Sequence, residues 1–179
     1  MRVLVHWLSA ALIFTAYGLV WSREALDDDI LRSVILSLHR QTGLIVLLFL
    51  GVRLALRWRH SPTPAASELP RLMRWAAGLS HLALYGLLFA MPLLGWAMTN
   101  AQGHEVLLWN LLALPRLVAT DPDLSDTLQD GHEWGAWCLL GLVAAHLAAA
   151  LWHHFVRRDD VLLAMLPRAR SAKAPRLHE

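Results

Sequence analysis

Four apolar runs, at roughly 3–21, 38–57, 75–99 and 133–156, constrain this chain more than any other feature. A membrane-spanning helix needs about 20 mainly apolar residues, and each run meets that length. The composition agrees. Of 179 residues, 56% are hydrophobic and 17% charged, which is too apolar for an ordinary soluble domain. The first run follows Arg2 as a signal peptide would. However, it is long for such a segment, it contains His6 and Trp7, and "SREALDDD" follows it where a small-residue cleavage pattern should stand. It reads as a retained helix. The sequence therefore predicts an all-α integral membrane four-helix bundle over 1–167, with a basic tail at 168–179.

Charge orients the bundle. Segments 22–38 and 100–132 hold nine acids and three bases (Arg23, Arg32 and Arg116). The opposite side holds twelve bases, from Arg2 through Arg53, Arg57, Arg59, Arg71 and Arg74 to Arg157, Arg158 and the tail, against four acids. The positive-inside rule puts both termini and the 58–74 loop in the cytoplasm. The net charge of +2 thus describes a polarised membrane protein and argues against a nucleic-acid binder. Lipid is the first partner. The nine tryptophans fall mostly near span ends, as an interfacial aromatic belt does. Trp109 is set apart in "HEVLLWNLLALPRLV", an amphipathic stretch expected to lie on the membrane surface as a cap.

The spans carry histidines, and ionisable groups inside a membrane mark functional sites by default. His132 and His146 lie 14 residues apart on the fourth span, close to four turns, so they share one face about 21 Å apart along the axis. His39 is expected to open the second helix, level with His132. His6 lies towards the cytoplasmic end of the first, as His146 does on the fourth. Two pairs, each drawn from two helices, are what two bis-histidine haems would need, and helical bundles build cofactor sites in this way. By depth alone, His153 could replace His146 as the partner of His6. The second span repeats the spacing: Arg53 follows His39 by 14 residues, and an arginine at that depth needs an anion such as a haem propionate. Gly43 would let a macrocycle approach the backbone. His81, on the third helix, could hydrogen-bond a propionate or a quinone carbonyl. His153 and His154 stand where a quinone head group would sit. His60, His104 and His178 lie in loops and tail and have no assigned role. Only one cysteine, Cys138, is present, and no C-x-x-C-H motif occurs, so any haem must be held by axial side chains alone. A histidine-rich metal transporter would require buried carboxylates that these spans lack.

The segments "VHWLSAALI", "LHRQTGLIVLLFLGVRLALR", "LSHLALYGLLFAMPLLGWAM" and "HEWGAWCLLGLVAAHLAAALWHHFVRRDDVLLAMLPR" together resemble the bacterial cytochrome b561 family. The likeness covers nearly the whole chain. It implies a small quinone-linked protein of the inner membrane with two haems b. The cytoplasmic-side haem would take His6 and His146, and the periplasmic-side haem His39 and His132. It further implies an oxidoreductase that passes electrons to ubiquinone, with superoxide as the best-described donor and no protein partner required. Related folds suggest an alternative, a haem-bearing anchor subunit that links a dehydrogenase or hydrogenase to the quinone pool. The chain departs from the pattern in two respects. Only five residues precede His6, and the periplasmic loops are net acidic, whereas a superoxide-collecting surface should be positive. Arg23, Arg32, Arg40 and Arg116 would have to gather into a local patch.

Overall fold

The computed structural model describes residues 1–59, 70–109 and 111–166. Four long helices account for most of them: α1 (Arg2–Glu24), α2 (Asp29–Trp58), α3 (Arg71–Ala101) and α4 (Pro122–Trp152). All four are long and apolar enough to cross a membrane. The 168–179 tail lies outside the described residues.

Several helices outrun the apolar segments that announce them. Residue Asp28 caps α2, its side chain accepting from the Leu31 amide, and Asp121 caps α4 by accepting from Leu124. Each cap satisfies an orphan N–H, and Asp29 and Asp123 in the first turns complement the helix dipole. Both helices consequently begin about ten residues before the first paired histidine. His39 does not open α2, as the hydropathy suggests; it lies inside it. Hydropathy marks where lipid begins, whereas the caps mark where the helix begins.

The stretch around Trp109 also departs from expectation. Between α3 and α4 the chain forms a β-hairpin, β1 (Leu107–Leu108) paired antiparallel with β2 (Leu112–Ala113). The full backbone of Trp109 turns at φ 48°, a left-handed conformation that breaks any helix there.

Helices α1 and α2 pack along each other, as do α3 and α4, and α2 also packs on α3. Among the described residues, no comparable run of close backbone approach joins α4 to α1 or α2. The bond from Tyr17 Oη to the Ala136 carbonyl, 2.6 Å, ties α1 to α4 across that gap. At mid-depth Ile13, Val46, Leu50, Leu88, Met91 and Leu139 form the core. Close approach of α3 and α4 depends on Gly135, where a Cβ would fall 2.6 Å from Met91 Sδ. Large apolar side chains such as Phe14, Leu48, Leu82, Phe89 and Trp134 face outward, as lipid contact requires.

Candidate functional site

A seven-residue ruler organises the interior. Stepping from His39 leads to Val46 and then Arg53; from His132, to Leu139 and His146; from His81, to Leu88 and Gly95; from His6, to Ile13. Seven residues are nearly two helical turns, so each step keeps its face and moves about 10 Å. The middle residues of all four series belong to the apolar core. That core separates two polar layers.

In one layer the rings of His39 and His132 lie 6.2 Å apart between centroids, with their planes at 80°. His39 Nδ1 donates to the Ala16 carbonyl at 3.0 Å, which fixes the tautomer and leaves Nε2 with a free lone pair. The second nitrogen of His132, Nδ1, is buried and faces the Met91 backbone without hydrogen-bond geometry. Gly95 supports that ring: a Cβ there would meet His132 Cε1 at 3.3 Å. Beside His39, a Cβ on Gly43 would meet nothing within 4 Å, which leaves open space at the helix backbone. Buried donors also gather at this end. Among the described residues, Arg23 Nε, Arg40 Nε and Trp96 Nε1 have no hydrogen-bond partner, and Arg23 and Arg40 lie close enough to repel each other. Unpaired buried donors call for an acceptor-bearing group.

In the other layer the centroids of His6 and His146 are 6.3 Å apart, with planes at 57°. The ring of His81 stands 5.6 Å from that of His146. Arg53 Nη2 reaches His6 Nδ1 at 3.2 Å. The guanidinium groups of Arg53 and Arg57 lie 5.4 and 5.8 Å from the centre of the Tyr85 ring. Arg53 has no carboxylate partner among the described residues.

Both layers fit a haem iron. Two imidazoles sharing one metal, each about 2 Å from its nitrogen, place their centroids about 6.2 Å apart once the ring radius is added. Among the described residues, the helices carrying each pair, α1 with α4 and α2 with α4, share no long run of close backbone approach. No cluster of three or more His, Cys, Asp or Glu suited to a bare metal ion occurs among the described residues. One detail must change on ligation. Iron on His6 Nε2 would put a hydrogen on Nδ1, and Arg53, itself a donor, would have to turn to an acceptor elsewhere.

The structure thus brings together His6 with His146 and His39 with His132, and it sets His81 and Arg53 beside the first pair. His153 is engaged elsewhere. It lies in the π-helical segment His153–Arg157 that continues α4, with Nδ1 2.6 Å from Asp159 Oδ2. His154 stacks edge-on against Phe155, His104 is exposed, and His60 and His178 fall outside the described residues. Two neighbours of the site escaped the sequence reading, Gly95 and Tyr85. The first was legible, for it follows His81 by the same 14 residues that separate His132 from His146. The second, one turn after His81, carried no distinguishing signal.

Comparison with known proteins gives one family. The family model for prokaryotic cytochrome b561 matches residues 2–168. Cytochrome b561 homolog 2 of Escherichia coli (strain K12) is 32% identical over 172 residues, which cover 93% of this chain and 89% of that protein. Cytochrome b561 homolog 1 of the same strain is 27% identical over 175 residues, 93% of this chain and 95% of the relative. A protein of Yersinia pestis named probable superoxide oxidase CybB is 27% identical over 173 residues, 95% of this chain and 96% of the relative.

Proposed function

Because the chain belongs to the prokaryotic cytochrome b561 family, multi-pass membrane proteins that bind haem b and transfer electrons, we propose that it holds two haems b and moves single electrons between a periplasmic donor and membrane ubiquinone. The observation that carries this reading is the pair of imidazole couples, 6.2 and 6.3 Å between centroids, at opposite ends of one bundle. His39 and His132 hold the haem nearer the periplasm, and His6 and His146 the haem nearer the cytoplasm. When bound, each haem supplies a one-electron iron couple with no open coordination position.

The protein's own residues do the rest. Ala16 orients the His39 ring through its carbonyl, Gly95 seats the His132 ring, and the apolar core keeps water out between the layers. Arg53 turns its guanidinium to a propionate, and His81 offers a ring N–H to a propionate or a quinone carbonyl. Twelve bases on the side of the termini support their placement in the cytoplasm of a bacterial inner membrane.

The donor is superoxide, a reading supported by the name of the Yersinia pestis relative and by Arg23 and Arg40 at the His39 end, whose Nε atoms have no hydrogen-bond partner among the described residues. Those two cations supply local attraction that the net acidic loops lack, whereas Arg116 is already turned to Glu105 at 3.9 Å. Two superoxide anions each lose one electron to become dioxygen, and ubiquinone takes up both electrons with two protons to become ubiquinol. Stopped-flow mixing of the oxidised protein with superoxide should reduce the haem spectrum, and ubiquinone should reoxidise it. Reduction by ubiquinol but by superoxide at no ionic strength would overturn the donor assignment.

A further inference from the structure

The hairpin between α3 and α4 is polar at its base and apolar at its tip. At the base, Glu105 and Arg116 pair in the open, and Asn100, fully buried, accepts from the Leu117 amide and donates to the His104 carbonyl. Towards the tip, Leu107, Trp109, Leu111 and Leu112 are exposed, Leu111 to 90%. Among the described residues, no protein surface fully covers them.

Their depth decides what does. Gln41 Nε2 donates to the Leu107 carbonyl at 2.6 Å, and Gln41 Oε1 accepts from the Trp109 amide at 3.0 Å. Gln41 lies about 18 Å along α2 from Asp29, and two residues farther in than His39. The chain therefore leaves the end of α3 and turns back down the outside of the bundle, to the level of the His39–His132 pair. On its return, Leu117 lies over an apolar groove with Phe89, Leu93 and Ala97 of α3.

We propose that this hairpin is inserted into the lipid leaflet at the His39 end and that Gln41 is its latch. Irregular backbone in hydrocarbon must find its partners within the protein. One side-chain amide, using both its donor and its acceptor, supplies them to a carbonyl and an N–H near the turn. A surface hairpin would need neither bond, since water would serve. The occupant of the exposed face is lipid, because the outward Leu38 at the same level of the bundle, and the outward Phe89 about 9 Å deeper, are apolar surface that lipid covers.

Cysteine accessibility in phospholipid nanodiscs, which expose both membrane faces, tests this with the haem-loaded protein. In a Cys138→Ser background, Leu111→Cys and Leu112→Cys should react with a charged maleimide about tenfold more slowly than Glu105→Cys, because lipid excludes the reagent and suppresses the thiolate. Their rates should match that of Phe89→Cys on α3. Rates equal to that of Glu105→Cys would overturn the insertion, and this arm needs no change at the latch. Adding Gln41→Ala should free the tip and raise the Leu111→Cys rate towards that of Glu105→Cys. An unchanged rate would refute the latch.

Discussion

Gly95 offers a perturbation in which two effects of opposite sign can be separated. Replacing it with alanine puts a Cβ 3.3 Å from His132 Cε1 and 3.6 Å from Nδ1. That is tighter than ordinary carbon contact, so the ring must rotate or retreat by a few tenths of an ångström. An imidazole forced about 30° off its rotamer costs about 0.5–1.5 kcal/mol, which is roughly a two- to tenfold loss of affinity for whatever the ring ligates. The same change favours the helix, since glycine in a helix interior costs about 0.8–1 kcal/mol relative to alanine. Gly95→Ala should therefore leave the haem-free chain as stable as before, or more so, while weakening one haem. Gly95→Val adds two methyl groups beyond that Cβ, which the ring cannot evade, and should empty the His39–His132 site. Pyridine haemochrome titration and low-spin EPR provide the readout. The near-perpendicular rings of that site, at 80°, should give a more anisotropic signal than the 57° pair, so the lost signal identifies the site. Gly95→Val with both haems and both signals intact would refute the seating role.

Other predictions follow from contacts at each end. Tyr17→Phe removes the bond to Ala136 and should destabilise the bundle by about 0.5–1.5 kcal/mol, measured by thermal unfolding in detergent. Arg53→Leu should keep both haems but shift the midpoint potential of the His6–His146 haem downward, as loss of a nearby cation disfavours the electron; potentiometric titration checks the sign. Slight burial would raise the Asp159 carboxyl, but the hydrogen bond from His153, the Val161 amide and the charges of His153 and Arg157 together hold it below its ordinary value. A depressed folded-state value means that its contribution is present above the usual carboxylate range and is lost as pH falls through the folded value. Amide protection factors in residues 158–165, taken relative to the intrinsic rate at each pH, should accordingly fall at acid pH, and Asp159→Asn should remove that dependence. Added salt should slow superoxide-driven reduction if Arg23 and Arg40 attract the anion, and Arg40→Gln should slow it likewise; acceleration by salt would point instead to repulsion from the acidic loops.

The four helices and their histidines were legible because lipid imposes a length on each apolar run, and a helix converts spacing into depth. The 14-residue interval places His132 and His146 at the two levels where the structure pairs them with His39 and His6. It located the arginine on α2 for the same reason. What hydropathy could not show was where α2 and α4 begin, since the caps at Asp28 and Asp121 lie outside the apolar runs. Nor could it give the hairpin: Leu107–Ala113 has the composition of an amphipathic helix, and only the bonds to Gln41 and the turn at Trp109 decide otherwise. Sequence left His6 free to pair with His146 or His153. In the structure His146 faces His6, while the chain reverses at Arg158, past the π-helical segment that carries His153, and commits His153 to Asp159.

The central claim is that each imidazole couple holds its own haem. Haem b counted per chain by pyridine haemochrome and amino-acid analysis tests it most directly, in the native protein and in His39→Ala and His6→Ala. Two haems in the native chain and one in each variant, with a different low-spin signal missing from each, is the predicted result. One haem in the native chain, or the same signal missing from both variants, would contradict it.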